Sequence, residues 1–427
     1  MLTKTLLILL GLIALAVPVA AALGWLGLTL QYLDSPMPLH RALGDMVWQT
    51  GTDFLLVAIP MFILLGEILL RSGIAASMYA GIVTWLGWLP GGLMHANTGS
   101  CALFAATSGS SVATAATIGT VAIPEIEKRG YNERLFLGTI AAGGTLGILI
   151  PPSINLILFG LLTDTSVPEL YLAGFLPGFL LAALFMVTVI LLCIAKPAWG
   201  GEPVVATWTE RITALPSLLP PIGIFLVVVG SIYAGVATPT EAAALGVVAA
   251  LGLSAANGSL SLNMIRAAIE GTMRTTSMIL LIILAAVFLN FVLSVIGLTQ
   301  ALADFVTGLG LSPMQTMLML IAVLIVVGCF METLSMLLTV APLITPIVIT
   351  LGFDPVWFGI LLMVLLETAL ITPPIGINLY VVQGVRERGE LSDVMIGAAP
   401  FVLTMFAMIA VLLLFPDVAL WLPGLFY

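Results

Sequence analysis

The chain has 427 residues, of which 61% are hydrophobic and only 8% are charged, whereas a soluble domain carries about 25% charged residues. This composition excludes a soluble globular protein, and the formal net charge of −9 argues against binding to nucleic acid. Apolar stretches of roughly 20 residues, the length that crosses a bilayer, recur along the chain and predict an all-α polytopic membrane protein.

The first apolar stretch, MLTKTLLILLGLIALAVPVAAALGWLGLTL, is longer than the hydrophobic region of a signal peptide. It therefore predicts a retained first span at 5–30. Two segments, 92–127 and 314–350, are predicted to be re-entrant hairpins that return to the side from which they start, and 73–89 and 298–311 to be shallow arms. The other predicted spans are 53–71, 131–162, 168–195, 217–237, 240–257, 274–297, 355–383 and 394–420.

Proline landmarks recur in the same order at a spacing of 222 or 223 residues, which indicates an internal duplication. The corresponding pairs are Pro90 with Pro313, Pro124 with Pro346, Pro151-Pro152 with Pro373-Pro374, and Pro177 with Pro400. Because proline lacks an amide donor and clashes with the preceding turn, a helix breaks at each double proline. Each half of the chain therefore has a broken helix in the corresponding place.

The twelve Lys and Arg residues indicate how the spans are oriented, because cytoplasmic loops are rich in them. With the N-terminus in the cytoplasm, eleven of the twelve fall inside, Lys4 among them, and only Arg41 falls outside. From the span at 53 to its counterpart at 274 the chain crosses five times, so the two halves have inverted topology, and the C-terminus is expected in the periplasm. The predicted domains are an N-terminal span and external loop at 1–50, a first inverted repeat at 51–197, connecting scaffold helices at 198–271 and a second inverted repeat at 272–427.

Inverted repeats with broken helices are typical of secondary transporters, whose binding site lies at the interface between the repeats. Broken backbone at membrane depth is tolerated only where it lines a cavity or is buried in protein. The freed carbonyl groups bind cations, and the new helix N-termini favour anions. The two double-proline breaks therefore predict the position of the binding site.

The hairpin tips carry further candidate ligands. The first tip, ATSGSSVAT, places hydroxyl groups around Gly109, and the second, GCFMETLSM, has Glu332 at its turn. Hydroxyl residues also serve helix packing, and an acid at a shallow tip can simply be exposed, but tips opposite a break favour a cation site. Oxygen ligands and only two histidines favour Na⁺ over H⁺ as the coupling ion, with no other cofactor. The predicted sodium-binding residues are Ser108, Gly109, Ser110, Ser111, Thr114, Gly147 and Pro151 in the first half, and Gly328, Met331, Glu332, Thr333, Thr368 and Thr372 in the second.

Polar residues beside the breaks and the second tip are candidates for substrate contact. Asn155 and Asn378 each follow a proline pair, although asparagine amides equally satisfy broken backbone, and both interpretations stay open. Glu367, just ahead of the second break, is expected to support the site from behind. Glu67 and Arg71 lie one helical turn apart and are expected to pair. The predicted substrate-binding residues are Ser153, Asn155, Ser335, Pro374 and Asn378.

The motifs SGSSVAT and GTLGILIPPS, followed by AGFLPGF and GVATPTEAAALG, carry a family resemblance. From about residue 50 onward the chain resembles the large membrane subunit of tripartite ATP-independent periplasmic (TRAP) transporters. The resemblance implies an elevator mechanism driven by a Na⁺ gradient, in the inner membrane of a bacterium. It also implies two partners: a periplasmic binding protein that captures an organic acid, and a small membrane subunit, expected as a separate chain. The second tip has Glu332 where the family more often has Asp, which leaves the charge unchanged.

Two alternatives remain beside the predicted function, a non-enzymatic permease that imports an organic acid. One is a stand-alone Na⁺-coupled carboxylate carrier, which needs no binding protein. The other is an ion channel or an intramembrane enzyme, and an enzyme needs a catalytic set such as a His-Glu cluster or a Ser-Lys pair, which the sequence does not show. The substrate stays open among sialic acids, C4-dicarboxylates and other organic acids.

Overall fold

The computed structural model describes residues 2–15, 17–386 and 388–427. These residues form helices joined by short loops. In the first half the helices are α1 (Leu2–Ala14), α2 (Val19–Asp34), α3 (Leu43–Gly51), α4 (Ala58–Arg71), α5 (Ile74–Leu86), α6 (Leu93–Ser108), α7 (Ser111–Ala122), α8 (Glu125–Arg129), α9 (Glu133–Gly144), α10 (Leu146–Leu149), α11 (Ile154–Thr163) and α12 (Val167–Ala195). They continue as α13 (Trp208–Tyr233), α14 (Pro239–Ala256), α15 (Leu262–Val295), α16 (Leu298–Gly308), α17 (Pro313–Gly328), α18 (Thr333–Thr350), α19 (Pro355–Leu370), α20 (Ile377–Arg386), α21 (Leu391–Leu414), α22 (Asp417–Leu420) and α23 (Pro423–Phe426).

Seven helices of the described chain are long and apolar enough to cross a membrane, or eight if a pair bent by 42° counts as one span. This confirms the all-α polytopic architecture. Two spans start earlier than predicted, α13 at Trp208 and α15 at Leu262, because Thr207 and Ser261 cap the helix N-termini with their hydroxyl groups. The predicted division into domains stays a prediction, although α15 runs without interruption across the proposed boundary at 271.

The N-terminal segment differs from the prediction of one span at 5–30, which is wrong. The chain breaks before Pro18, and α1 folds back along α2, so that Lys4 Nζ donates to Asp34 Oδ1 at 2.7 Å. A helix of 13 residues is about 20 Å long, too short to cross a bilayer about 30 Å thick. Lys4 and residue 34 therefore lie at the same end of the segment, and the prediction that placed Lys4 inside while 31–52 lay outside is also wrong.

Both predicted hairpins are present. In the first, α6 and α7 join at Gly109, whose φ of +60° is a conformation that glycine adopts readily, and Ser110 caps α7. In the second, α17 and α18 join through 329–332, and Glu332 caps α18 by accepting a hydrogen bond from the amide of Ser335. We call 93–122 hairpin 1 and 313–350 hairpin 2.

Both predicted helix breaks are present at the double prolines. Break 1 (150–153) lies between α10 and α11, and break 2 (371–376) lies between α19 and α20. The peptide bonds Pro151-Pro152 and Pro373-Pro374 are both cis. Ser153 caps the helix after break 1 by accepting from the amide of Leu156.

The contacts between the halves show that the repeats are inverted. The returning helix of hairpin 1, α7, packs on α20, and the returning helix of hairpin 2, α18, packs on α11. At one end of the molecule Glu127 forms an ion pair with Arg388, and at the other Asp164 shares a groove with Pro346. Because the helix from α9 to α11 runs from the first end to the second, the two hairpins start from opposite ends.

The two repeats meet along a seam between α9 and α21. Gly138 and Gly397 face each other there so closely that a Cβ atom on either would overlap the backbone of the other helix. Ion pairs extend the contact: Arg134 Nε lies 2.9 Å from Asp393 Oδ1, and Arg386 Nε lies 3.0 Å from Glu133. On the outside of this assembly α13 packs on α5, α14 on α4, and α15 on α2 and α4. The hairpins and breaks are therefore bordered by α4 and α15.

Candidate ion- and substrate-binding site

The tip of hairpin 1 lies directly against break 1. A Cβ on Gly147 would lie 2.7 Å from the carbonyl oxygen of Ser110, and one on Gly109 would lie 3.0 Å from that of Pro152. At the tip, Ser108 Oγ lies 3.0 Å from Thr114 Oγ1, which also donates to the carbonyl of Ser110 at 2.7 Å. The structure thus brings together the oxygen-rich tip and the unwound backbone that the sequence assigned to a first sodium site.

The tip of hairpin 2 lies against break 2 in the corresponding way. A Cβ on Gly328 would lie 2.8 Å from the Cβ atom of Ala369. Glu332 Oε2 accepts from both the amide and the hydroxyl of Ser335 at 3.0 Å. The hydroxyl of Thr372 donates to the carbonyl of Thr368 at 2.6 Å, across the start of the break. Residues assigned to the second sodium site are therefore close together, and Glu332 has a capping role as well.

A cavity of about 430 Å³ lies between the two tips and the bordering helices α4 and α15. Most of its wall is apolar. Its polar lining comprises Glu67, Ser108, Ser110, Ser111, Asn155, Thr275, Glu332 and Thr333. The hairpin tips of both repeats thus face one cavity.

Only one of the predicted substrate-binding residues, Asn155, lines this cavity. Ser153 caps α11, and Ser335 is bonded to Glu332. Asn378 donates from Nδ2 to the carbonyl of Ala141 at 3.2 Å, and Pro374 is exposed. Four of the five predicted residues therefore lie outside the cavity lining, and three of these four make capping or backbone hydrogen bonds.

Comparison with known protein families shows to which family the chain belongs. The model of the DctM component of the tripartite ATP-independent periplasmic transporters matches residues 6–418. The chain belongs to this family. It is 33% identical to the C4-dicarboxylate TRAP transporter large permease DctM of Rhodobacter capsulatus, over 98% of both chains. It is 30% identical to the sialic acid large permease SiaM of Vibrio cholerae, over 98% of this chain and 97% of the relative.

A relative of a third kind is the ectoine TRAP transporter large permease TeaC of Halomonas elongata, 32% identical over 87% of this chain and 86% of that protein. Among solved structures, the YdaH transporter of Alcanivorax borkumensis superposes with a TM-score of 0.65 at 17% identity, covering 94% of this chain and 97% of that one. That likeness concerns the fold alone. The protein is thus a multi-pass membrane permease of the TRAP type.

The permease has a buried carboxylate in contact with the first tip. Ser111 Oγ donates to Glu367 Oε1 at 2.5 Å, although the two residues are 256 positions apart. Glu367 is fully buried, and its other oxygen, Oε2, has no hydrogen-bond partner within the described chain. The sequence predicted only a supporting role for it. The stronger signal was its place as the only charged residue in the apolar run VWFGILLMVLLETALITPP, because an ionisable group there is usually functional.

An ion pair lies at the cavity wall of the permease. Arg71 donates to the carboxylate of Glu67, which lines the cavity, and this confirms the predicted pairing one turn apart on α4. A Cβ on Gly271 would lie 2.6 Å from Glu67 Oε2, so a glycine of α15 leaves room for the carboxylate. Arg71 therefore places one guanidinium group next to the cavity.

Proposed function

We propose that this permease imports an organic acid together with Na⁺ across the inner membrane of a bacterium. In the proposal a periplasmic binding protein delivers the acid, and a small membrane subunit completes the transporter. The observation that carries the proposal is the convergence of two hydroxyl- and carbonyl-rich tips on one cavity, each beside its own helix break, in a member of this family.

The sodium sites follow from the chemistry of the breaks. Sodium ions favour hard oxygen ligands, and unwound backbone in transporters supplies carbonyl oxygens for them. In the first site, hydroxyl groups of Ser108 and Thr114 and the carbonyl of Ser110 would surround the ion, next to Gly147. In the second, 328–333 would face 368–372. Tip and break come from the same repeat in both sites, so the two sites are related by the inverted symmetry.

The substrate would bind between the tips. Asn155 Nδ2 is buried, lines the cavity and has no hydrogen-bond partner within the described chain, so it can donate to a carboxylate. It stands in the first turn of α11, whose N-terminus also favours an anion. Asn155 is therefore our first candidate for substrate contact.

An elevator motion would carry this cavity across the membrane. The tip of hairpin 1 lies beside Gly66, where an added Cβ would lie 3.4 Å from the carbonyl oxygen of Ser108. Gly66 is five residues from Arg71, about 7.5 Å along the helix. Because Arg71 and Arg274 are expected in the cytoplasm, we interpret this conformation as inward-facing. Movement of the hairpins along α4 and α15 would take the cavity to the other side.

Delivery by a binding protein is favoured by charge. The loops expected outside carry the acids Asp34, Asp45, Asp164, Glu169, Glu241, Asp304 and Asp354. The cation in these loops is Arg41, and the ion pair with Asp34 brings Lys4 of α1 to the same side. Such a surface repels a free dicarboxylate rather than attracting it. Capture by another protein before transport removes that barrier.

Reconstitution tests the proposal. Liposomes would hold this chain and its small membrane partner under an inward Na⁺ gradient, and uptake of labelled C4-dicarboxylate, sialic acid and ectoine would be measured. Accumulation of one of them is expected only with its binding protein outside, and choline in place of Na⁺ should abolish it. Strong uptake of free substrate by this chain alone would overturn the proposal and favour a stand-alone carrier.

A further inference from the structure

Glu367 lies where the two repeats touch, next to Thr368 of the second proposed sodium site and in contact with the hairpin tip that forms the first. Its carboxylate is fully buried and receives one hydrogen bond, from Ser111 at the tip of hairpin 1. Close to this contact, a Cβ on Gly144 would lie 3.1 Å from both the carbonyl oxygen of Ser111 and Nδ2 of Asn378. Hairpin 1, the first broken helix and both halves of the second broken helix therefore converge here.

Two acceptor oxygens in this region have no partner. Oε2 of Glu367 and Oδ1 of Asn378 are both buried and make no hydrogen bond within the described chain. No ion pair of the described residues includes Glu367. A buried carboxylate without a counter-charge is strongly unfavourable, and buried acceptors are normally satisfied. The described residues thus provide oxygens here, and none of their cations pairs with Glu367.

The inverted repeat shows that the fold does not need this acid. The residue 222 positions earlier, Thr145, occupies the corresponding place before break 1. Its hydroxyl donates to the carbonyl of Ala142 at 2.6 Å, within its own helix. One repeat therefore forms the same broken helix without a carboxylate, which indicates that Glu367 serves something other than the bend.

We propose that Glu367, Ser111 and Asn378 form a third cation site, which takes Na⁺ and bridges the two repeats. The proposal rests on the sodium coupling proposed above and adds an ion to it. Glu367 supplies the negative charge, and the amide oxygen of Asn378 and the hydroxyl oxygen of Ser111 are neutral ligands of the kind that sodium favours. Unlike the other two sites, this one joins the tip of hairpin 1 to the helix of the other repeat, so the bound ion holds the repeats together.

Equilibrium binding of ²²Na⁺ to the purified full chain tests this site. The Glu367→Gln variant keeps the size of the side chain and removes the charge, and Glu270→Gln makes the same change at an exposed carboxylate that pairs with Arg266. We expect Glu367→Gln to bind one Na⁺ fewer per chain than the wild type, and Glu270→Gln to bind the wild-type number. The increase in melting temperature on replacing choline with Na⁺ should also be smaller for Glu367→Gln.

A second variant covers the case in which Glu367→Gln does not fold. Asn378→Leu removes the amide oxygen at nearly constant size, and the same loss of one bound Na⁺, or a tenfold weaker affinity for it, is expected. An unchanged sodium count in a folded variant overturns the third site. No Na⁺ binding by the wild-type chain would instead overturn the sodium coupling itself, so the two failures are distinguishable.

Discussion

Hairpin 1 and hairpin 2 have the same construction and very different surroundings. Thirteen of the sixteen residues of α6 are buried, against six of the sixteen in α17. Break 1 is buried throughout, whereas Pro373 and Pro374 of break 2 are exposed. Two hairpins of the same topology thus differ in packing. The first is surrounded by other helices of the chain, and one face of the second is not covered by them.

The bases of the hairpins also differ, because the base of hairpin 1 is held by more contacts to the rest of the chain. A loop at 199–204 crosses the base of hairpin 1: the amide of Val204 donates to the carbonyl of Gly87 at 2.9 Å, and the amide of Glu202 to that of Arg129 at 3.1 Å. The hydroxyl of Tyr131 accepts from the amide of Leu93 at 2.9 Å. At the base of hairpin 2, the described hydrogen bonds are local: helix caps at 312 and 354 and turns within 346–353. We therefore expect hairpin 2 to be the part that opens.

The largest effect is expected from locking each hairpin in turn. In a background without other cysteines, Gly143→Cys would place its Cβ 3.1 Å from that of Cys101, and Gly328→Cys with Ala369→Cys would place the two Cβ atoms 2.8 Å apart. A backbone shift that widens each separation to the roughly 3.8 Å of a disulfide would let the first pair lock hairpin 1 and the second lock hairpin 2. Oxidation should abolish uptake in the hairpin 2 variant and leave most of it in the hairpin 1 variant. Uptake in the reconstituted transporter before oxidation and after reduction is the control. If uptake is lost only when hairpin 1 is locked, hairpin 1 rather than hairpin 2 is the part that opens.

A smaller effect is expected from loosening the base of hairpin 1. Tyr131→Phe removes the hydroxyl that accepts from Leu93 and donates to Glu202, and it leaves a buried amide without a partner. The expected loss in free energy of unfolding is about 1–3 kcal/mol, seen as a lower melting temperature in detergent. Tyr380→Phe, at a tyrosine 51% exposed, should change nothing. A Tyr131→Phe variant as stable as the wild type would mean that the loop does not fix this hairpin.

Substitutions at the two tips compare the proposed sodium sites. Ser108→Ala, which removes a hydroxyl ligand of the first proposed site, and Thr333→Ala should each weaken Na⁺ binding by about 1 kcal/mol, or roughly fivefold in the Na⁺ concentration for half-maximal uptake. Thr120→Ala and Thr350→Ala change exposed threonines of the same hairpins away from the tips and should leave this concentration unaltered. If neither tip variant shifts the Na⁺ dependence, the tips do not hold the coupling ions.

The smallest expected signal is a difference in amide exchange. Hydrogen–deuterium exchange without Na⁺ should be faster at 329–332 than at 108–110, because the second tip is less enclosed. Adding Na⁺ should slow exchange at both tips and more strongly at the second. Equal protection of the two tips would show that the difference in burial has no dynamic counterpart.

The sequence predicted the breaks and hairpins because prolines and glycines act locally. The double prolines at 151–152 and 373–374 each interrupt a helix, whereas Pro220 and Pro221 lie within the continuous helix α13. The regular spacing of the proline landmarks indicated the duplication. The same rule applied at Pro18, where the apolar character of the whole stretch led to the prediction of one span instead of two helices. Hydropathy shows whether a segment is apolar enough to lie in the bilayer, and it does not show where the chain reverses direction.

The parts of the site that the sequence did not predict depend on contacts between repeats. Each tip and the break that it contacts belong to the same repeat, so the sequence could group their residues. The assignment of these residues to sodium stays a prediction. Ser111 and Glu367 come from different repeats, and Thr145, the counterpart of Glu367, has no charge. Symmetry cannot indicate a contact at a position where the repeats differ.

The seam between Gly138 and Gly397 has a mechanical consequence. Packed helices usually slide past each other by small shear movements that their side chains absorb by changing rotamer. At Gly138 and Gly397 backbone touches backbone, so no side chain can take up a displacement at that point, and ion pairs hold the seam at one end. The two repeats should therefore move together as one rigid body, so that a displacement at one end is transmitted to the hairpin at the other. A single methyl group at either glycine would force the two helices apart.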